Sequence, residues 1–337
     1  MTRIAVVLCN LGGPDGPDAI LPFLRNLFRD PAILRVPGPL RWLLAEGIAR
    51  RRAPAARGIY AQMGGASPIL AQCNAQARGL ESALSDAGGV RTFIVMRYWH
   101  PRAREIAREV HAFAPDQVVL VPLYPQFSTT TTASSVREWE RAGGGGVSVG
   151  CYAAEPWFVQ AYAERIAPLW AEAELHGGAR LLFSAHGLPA RIAAAGDPYP
   201  AQVEASAAAI AAALGLPGGR WRVCYQSRVG PMRWIGPSTE NELRRAGADR
   251  VPVVVAPVAF TSEHSETLVE LDVEGRALAT AAGVPAYFRA PAVSDSATFL
   301  GGLAEVVRAA LAGRLGRCPR DPALLCPAPV CQAPQAA

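Results

Sequence analysis

The chain reads as an α/β protein built from two doubly wound units with a cleft between them. Three features predict this. Short apolar runs rich in Val, Ile and Leu alternate with longer helix-spaced stretches along nearly all of the sequence, the rhythm of parallel strands joined by crossover helices. The rhythm of residues 1–150 is repeated in residues 151–294, without a sequence repeat. The 337 residues, half of them apolar and under a fifth charged, suffice for two cores.

In the first half, residues 4–8 read as a strand, 10–14 as a glycine turn and 19–28 as a helix, which together make half of a βα unit. Gly12-Gly13 serves either a tight turn or a phosphate cradle. Residues 36–48 form a proline-punctuated apolar stretch followed by Arg50-Arg51-Arg52. Exposed, it is a lip with Leu40, Trp42, Leu43 and Leu44 towards lipid and arginines towards headgroups. Buried, it is an ordinary core helix. A glycine-rich loop over 60–70 leads to a helix over 71–84, and 91–98 and 117–123 read as strands around a helix over 102–113. Residues 128–132 make a hydroxyl-rich turn before a helix that begins at Ala133, next to Ser134.

Gly143 to Gly146 are a flexible break. Beyond it strands are expected over 147–151, 180–184, 222–226, 251–259 and 286–289. Helices are expected over 157–174, 201–214, 238–246, 276–281 and 295–311. The region 295–337 divides into that last helix, packing back on the first unit, and an irregular tail with three cysteines.

Composition removes several chemistries. All 33 basic residues are arginine, so a Walker P-loop and a pyridoxal Schiff base are excluded for want of lysine. No apolar run reaches the length of a membrane span and no signal peptide opens the chain. A cytoplasmic location is therefore expected. The net charge of +5 suits anionic substrates or headgroups, or reflects arginine bias in the coding genome. Nothing suggests nucleic acid as a partner.

The chemistry gathers in the second half. The run 257–274 begins apolar, passes Thr261 and Ser262 as candidate helix caps, and becomes acidic. Glu266, Glu270 and Glu274 recur every four residues, so one helix face carries a column of carboxylates. Such a column is either a solvated face, at a cost of ~0.3 kcal/mol per like-charge pair, or a track for cations with His264 and Glu266 at its inner end. His186 follows an apolar strand, where open α/β sheets bind ligands. It either caps a turn or offers an imidazole to a cleft. One His and one carboxylate are too few to hold a structural zinc and suit a metal in transit. Tyr60, Tyr98, Trp99, Tyr124 and Trp234 stand at loop ends, as walls for a flat aromatic ligand or as core.

Several ordered motifs resemble those of the ferrochelatase family. They are Phe183-Ser184-Ala185-His186-Gly187-Leu188-Pro189, Gly196-Asp197-Pro198-Tyr199-Pro200, Gln226-Ser227-Arg228-Val229-Gly230-Pro231-Met232-Arg233-Trp234-Ile235-Gly236-Pro237 and Phe260-Thr261-Ser262-Glu263-His264-Ser265-Glu266-Thr267-Leu268. Asn10-Leu11-Gly12-Gly13-Pro14, Gly64-Gly65-Ala66-Ser67-Pro68-Ile69, Met96-Arg97-Tyr98 with His100-Pro101, and Tyr124-Pro125-Gln126 agree too. The resemblance reaches to about Leu311. It implies two Rossmann-like domains of the class II chelatase type and insertion of Fe2+ into protoporphyrin IX, the terminal step of haem synthesis.

The resemblance puts the family's histidine on His186, its glutamate on Glu266 and its acidic path on Glu270, Glu274 and His264. His186 accepts a pyrrole proton or, with Glu266, ligates iron; the two roles compete. Leu11, Tyr60, Met96, Arg97, Tyr98, Ser134 and Trp234 would hold the ring, and Arg97 or Arg51 would meet its propionates. The tail resembles that of members with a [2Fe–2S] cluster, which needs four thiolates. Cys326 and Cys331 match the animal pattern, Cys318 lies further upstream than that pattern expects, and Thr129 stands where its fourth ligand would be. Cys151 is taken as the substitute. Cluster-bearing relatives imply a homodimer, and the lip implies contact with the inner face of the cytoplasmic membrane. Coproporphyrin III is the alternative substrate. A carrier that holds porphyrin or haem without chemistry is the rival reading, disfavoured because it needs no cation path; a cobalt or nickel chelatase is another.

Overall fold

The computed structural model describes residues 2–314 except 229 and 231. In its first half β1 (Arg3–Asn10) leads through the glycine turn to α1 (Ile20–Phe28), α2 (Gly38–Ala61) and α3 (Ile69–Ala83). Then come β2 (Gly89–Met96), α4 (Ala103–Phe113), β3 (Gln117–Pro122), α5 (Thr132–Arg141) and the two-residue β4 (Val147–Ser148). The second half runs α6 (Pro156–Glu174), β5 (Arg180–His186), α7 (Ala190–Ala194), α8 (Tyr199–Ala213), β6 (Trp221–Gln226), α9 (Thr239–Asp249) and β7 (Val253–Ala256). It continues with α10 (Ser265–Leu268), a π-helical turn Glu270–Gly275, α11 (Arg276–Ala282), β8 (Tyr287–Arg289) and α12 (Ala297–Leu311).

The strands form two four-stranded sheets, ordered β2–β1–β3–β4 and β6–β5–β7–β8, with every pair parallel. The expected α/β class with two doubly wound sheets is what the chain adopts. β1 is buried at every position after Arg3, because helices cover both faces of a central parallel strand. In each sheet the chain winds away from the first strand in opposite directions, so a crevice opens beside the ends of β1 and β3 and again beside β5 and β7.

Some boundaries move for local reasons. The strand expected over 251–259 shrinks to β7, since Pro252 and Pro257 bracket it and proline cannot donate to a ladder. Beyond it, the 258–260 segment turns, with the Phe260 amide bonded to the Pro257 carbonyl. The expected strand over 147–151 is only β4. The apolar stretch at 36–48 is the start of a longer helix, α2, whose inner face buries Ala45, Ala49, Ala53 and Tyr60 against α1. Its opening turns leave Leu40, Trp42, Leu43 and Leu44 exposed, Leu43 to 64%. The lip is thus outward. Gly12 adopts φ +85°, and a β-carbon there would lie 3.0 Å from that of Met96; a tight turn accounts for the glycine.

One hydrophobic cluster runs beneath both sheets, from Val6 and Leu8 through Tyr152, Phe158 and Tyr162 to Leu181 and Phe183. α12 packs on α3 and α6 within it. Glutamines tie the halves together. Gln76, fully buried on α3, donates to the carbonyls of Thr261 (2.9 Å) and Ser294 (3.1 Å) and accepts from the Ser262 hydroxyl. One turn earlier Gln72 accepts from the Glu263 amide at 2.8 Å. Gln126 reaches Ser206 and the Val258 carbonyl, and Gln202 accepts from the Phe127 amide. The loop after β7 is therefore held by the first half as well as by its own sheet.

Candidate active site

β5 ends on His186, and the loop beyond β7 turns back over that end. His186 and Glu266 meet there, at the switch point of the second sheet, with Nδ1 2.7 Å from Oε2. The two side chains keep 42% and 25% of their surface, so the pair faces an opening. A neutral ring that donates from Nδ1 has its lone pair on Nε2, a nitrogen with no protein hydrogen bond among the described residues. The Tyr199 hydroxyl fixes the strand end by donating to the His186 carbonyl. Gly187 follows because nothing larger fits: a β-carbon would lie 2.9 Å from the Gln226 carbonyl and 3.2 Å from the Trp234 ring.

The acids sit on less regular backbone than expected. The cap of α10 is His264, whose Nδ1 accepts from the Glu266 amide at 3.1 Å, and not Thr261 or Ser262, which are buried in the inter-half contact. His264 thus spends a ring nitrogen on capping, and its ring stands edge-on to Phe260. The helix expected to carry three glutamates is four residues of α10 followed by the π turn, a distortion often found at functional sites. Glu266 and Glu270 remain part-buried and Glu274 is exposed. Glu270 takes the Ser227 amide (2.6 Å) and hydroxyl (2.5 Å), and Gln226 donates to the Glu266 carbonyl (2.6 Å). Ser227 holds φ +59° to make this possible, a conformation uncommon outside glycine.

Electrostatics separates the four groups. Burial works against the His186 cation, but the charge and hydrogen bond of Glu266 and the charge of Glu270 outweigh it, and its pKa lies above the ordinary 6.5. Burial likewise opposes the Glu266 carboxylate, yet His186, His264 and Ser227 bring it down to about 2. Burial and the Glu266 charge push Glu270 above its ordinary 4.5, against the pull of Ser227. Burial lowers His264, against the pull of Glu266 and Glu263. The Tyr60 hydroxyl, from α2, lies beside Ser265 and Glu266 and is pushed up to about 12 by burial. Among the described residues no three His, Cys, Asp or Glu side chains converge as a ready metal site.

The expected ring-holding residues divide. Tyr60 stands beside Glu266 and part-buried Trp234 beside Gly187, while part-buried Leu11 packs against the α1–α2 cluster. Met96 and Tyr98 are 99% buried and serve as packing. Arg97 is also buried, and its guanidinium is taken by Asp30 (2.8 Å) and Ser134 (2.8 Å). Tyr98 and Ser134 donate to the same Asp30 oxygen. Arg97, Tyr98 and Ser134 thus fasten the base of the lip through an acid that sequence reading missed; its only signal was a lone carboxylate ending an apolar helix. Arg51 is exposed, and the Arg228 stem lies close to Gly187. Thr129 bonds the Asp197 carboxylate through its amide and hydroxyl. Cys151 is part-buried just beyond β4, while Cys318, Cys326 and Cys331 lie outside the described residues.

The family model described as Ferrochelatase matches residues 3–311. A ferrochelatase of Caulobacter vibrioides is 55% identical over 91% of this chain and 90% of its own length. One of Phenylobacterium zucineum is 53% identical over 97% and 96%, and one of Hyphomonas neptunium 47% over 94% and 92%. Among solved structures, SirB from Bacillus subtilis with Fe3+ aligns over 93% of this chain and 97% of its own, with a TM-score of 0.53 at 12% identity. CbiX, described as the terminal enzyme of sirohaem biosynthesis in denitrifying bacteria, aligns over 91% and 99% with a TM-score of 0.50 at 16% identity. These two likenesses concern the fold.

The pair has a defined pH signature. A raised His186 pKa stabilises the fold fully below 6.5, and that contribution is lost as pH rises through the folded value. A lowered Glu266 pKa stabilises it above 4.5, and that contribution is lost as pH falls towards about 2. The pair therefore contributes most between 4.5 and 6.5. Glu266→Gln should lower the His186 pKa, leaving burial to dominate. An NMR titration of the imidazole checks this, and an unchanged midpoint contradicts the assigned cause.

Proposed function

The chain belongs to the ferrochelatase family, and on that premise we propose that it inserts ferrous iron into protoporphyrin IX at the cleft lined by His186 and Glu266. The observation that carries the assignment of these residues is the 2.7 Å pair at the switch point. On this reading residues 1–150 form the domain that supplies the lip and residues 151–294 the domain that supplies the metal-handling groups.

Metalation replaces two pyrrole protons by one dication. Neutral His186 accepts one of the protons, a general-base role worth about 10²–10⁴-fold. Two features favour this over a resident iron ligand. Glu266 stabilises the imidazolium that forms, and its own pKa of about 2 keeps it ionised throughout. Glu270 is the more basic carboxyl and takes the next proton towards exposed Glu274. The same oxygens attract Fe2+ on its way in, and their small number lets it leave. A flat ring resists metalation because its nitrogens point inward; bending it draws on binding energy from remote contacts. Leu11, Tyr60 and Trp234 supply walls for it. Arg97 is committed to Asp30, so Arg51 and Arg228 are the cations for the propionates.

The lip supports the choice of a membrane-borne, two-propionate substrate. Leu40, Trp42, Leu43 and Leu44 are 40–64% exposed on one short stretch of α2, with exposed Arg35, Arg50 and Arg51 nearby. Among the described residues no helix is long and apolar enough to cross a membrane, and such a patch lies in the interface instead. For the [2Fe–2S] cluster, Cys9, Cys73 and Cys224 are fully buried free thiols, each raised by burial, and unsuited to bind as thiolates. Cys151, part-buried beyond β4, is disulfide-bonded in this structure and would serve as the internal ligand beside Cys318, Cys326 and Cys331 once reduced to the thiolate.

Anaerobic metalation should proceed faster with protoporphyrin IX than with coproporphyrin III, and His186→Ala should abolish both while keeping the melting temperature. Turnover near normal in that variant sinks the assignment, and preference for coproporphyrin sinks the substrate. Replacing Trp42 and Leu43 by Glu should weaken co-sedimentation with anionic vesicles at least about tenfold; equal binding removes the lip from the account. Full-length protein isolated without oxygen should be reddish and contain acid-labile sulfide, with both lost in Cys151→Ser. A variant as red as the parent rules Cys151 out as a ligand.

A further inference from the structure

The segment bearing Glu266 and Glu270 is poorly equipped to hold its own shape. α10 has four residues, Val269 departs to φ −106°, and six residues of π turn follow. Helices this short are unstable by themselves, and π geometry is strained. Its shape must be imposed from outside.

β8 does so through one buried cation. Arg289 ends that strand with 9% of its side chain exposed. Its Nε donates to Asp272 Oδ1 at 2.9 Å and its Nη2 to Oδ2, a bidentate grip inside the π turn. Its Nη1 donates to Glu263 Oε1 at 2.6 Å, on the other side of α10. The Ala292 amide shares that Glu263 oxygen at 2.8 Å. At the start of the same strand the Tyr287 hydroxyl donates to the Leu271 carbonyl at 2.7 Å. Glu263 precedes Glu266 by one turn and Asp272 follows Glu270 by two residues. One planar guanidinium thus grips both ends of the stretch that carries the two acids.

We propose that Arg289 is a positioning residue: it sets the phase of the segment 263–272 and so holds Glu266 against His186 and Glu270 against Ser227. The inference rests on the reading of His186 and Glu266 as the iron-handling pair. Four of the five N–H donors of Arg289 are spent on protein acceptors and its side chain is only 9% exposed, so it holds protein and not substrate. Lysine keeps the charge but lacks the fork, and a single ammonium does not reproduce a bidentate grip together with a second carboxylate.

The test compares Arg289→Lys with the parent under anaerobic conditions, varying ferrous iron and porphyrin separately. A displacement of the acids by about 1 Å should raise the KM for iron roughly tenfold and lower kcat, with the KM for porphyrin unchanged. Asp272→Asn should act in the same direction, and the double variant should be no worse than the more affected single one, as expected of one clamp. A KM for iron unchanged in Arg289→Lys overturns the inference, as does an equal rise for both substrates with a lowered melting temperature, the mark of a merely structural role. Should Arg289→Lys fail to fold, Asp272→Asn and Glu263→Gln carry the same comparison. His186→Ala separates the two readings. If it is inactive while the clamp variants match the parent, only the positioning role falls; if it is active, the iron-handling assignment falls first.

Discussion

A charged hydrogen bond joins the end of β5 to the first turn of α10, and the molecule's architecture makes it available. Its two partners are 80 residues apart, yet one ends β5 and the other follows β7, the strand pair where the winding of the second sheet reverses. That reversal leaves no crossover helix above the strand ends, so a polar pair can reach an opening without being buried outright. The pair then tunes itself. Each partner's charge overcomes the burial that opposes the other, which leaves a basic imidazole beside a carboxylate that stays ionised near neutrality. Glu270, denied a cation of its own, is displaced the opposite way. Three groups within a few ångströms acquire three different proton affinities from one arrangement.

Support for that arrangement comes from both halves. Gln72 and Gln76 of α3 hold the loop 261–263, and the last strand holds the π turn. The buried amides satisfy backbone groups that the irregular loop leaves open, each of which would otherwise cost about 1–3 kcal/mol. Irregular backbone at the site is thus compensated by polar side chains from regular helices. The lip is organised separately, around Asp30, where Arg97, Tyr98 and Ser134 converge on a single oxygen.

Much of this was legible in the residues. The strand–helix rhythm fixes a parallel α/β class, because a period-two apolar run bracketed by proline or glycine has few other uses. His186 stood out because it ends such a run, and Glu266 because it opens an acidic stretch after another. Periodicity misled where the backbone left the α-helical path: Glu266, Glu270 and Glu274 imply one straight helix only if every turn holds 3.6 residues, and a π turn intervenes. The family resemblance implied Arg97 and Tyr98 as ring contacts; their burial depends on Asp30, 67 residues away from Arg97, and no local pattern encodes so distant a partner. Gln226 and Ser227 were visible at the end of β6, the neighbour of β5, and that adjacency is the signal that finds them. Arg289 carried no signal beyond being a cation in a short strand.

The hydrophobic cluster shared by the two sheets has a further meaning for traffic. Swinging the halves apart would wet Phe158, Tyr162 and Phe183, each wholly enclosed, and that penalty keeps the gap between the sheets at a constant width. The helices α1 and α2 belong to a different and smaller cluster, with Phe23, Leu24 and Tyr60 at its centre. Displacing them disturbs few of the contacts that hold the rest together. The α1–α2 pair is therefore the wall of the molecule that can shift at least cost, and the Asp30 contacts are the latch that holds it to the first sheet.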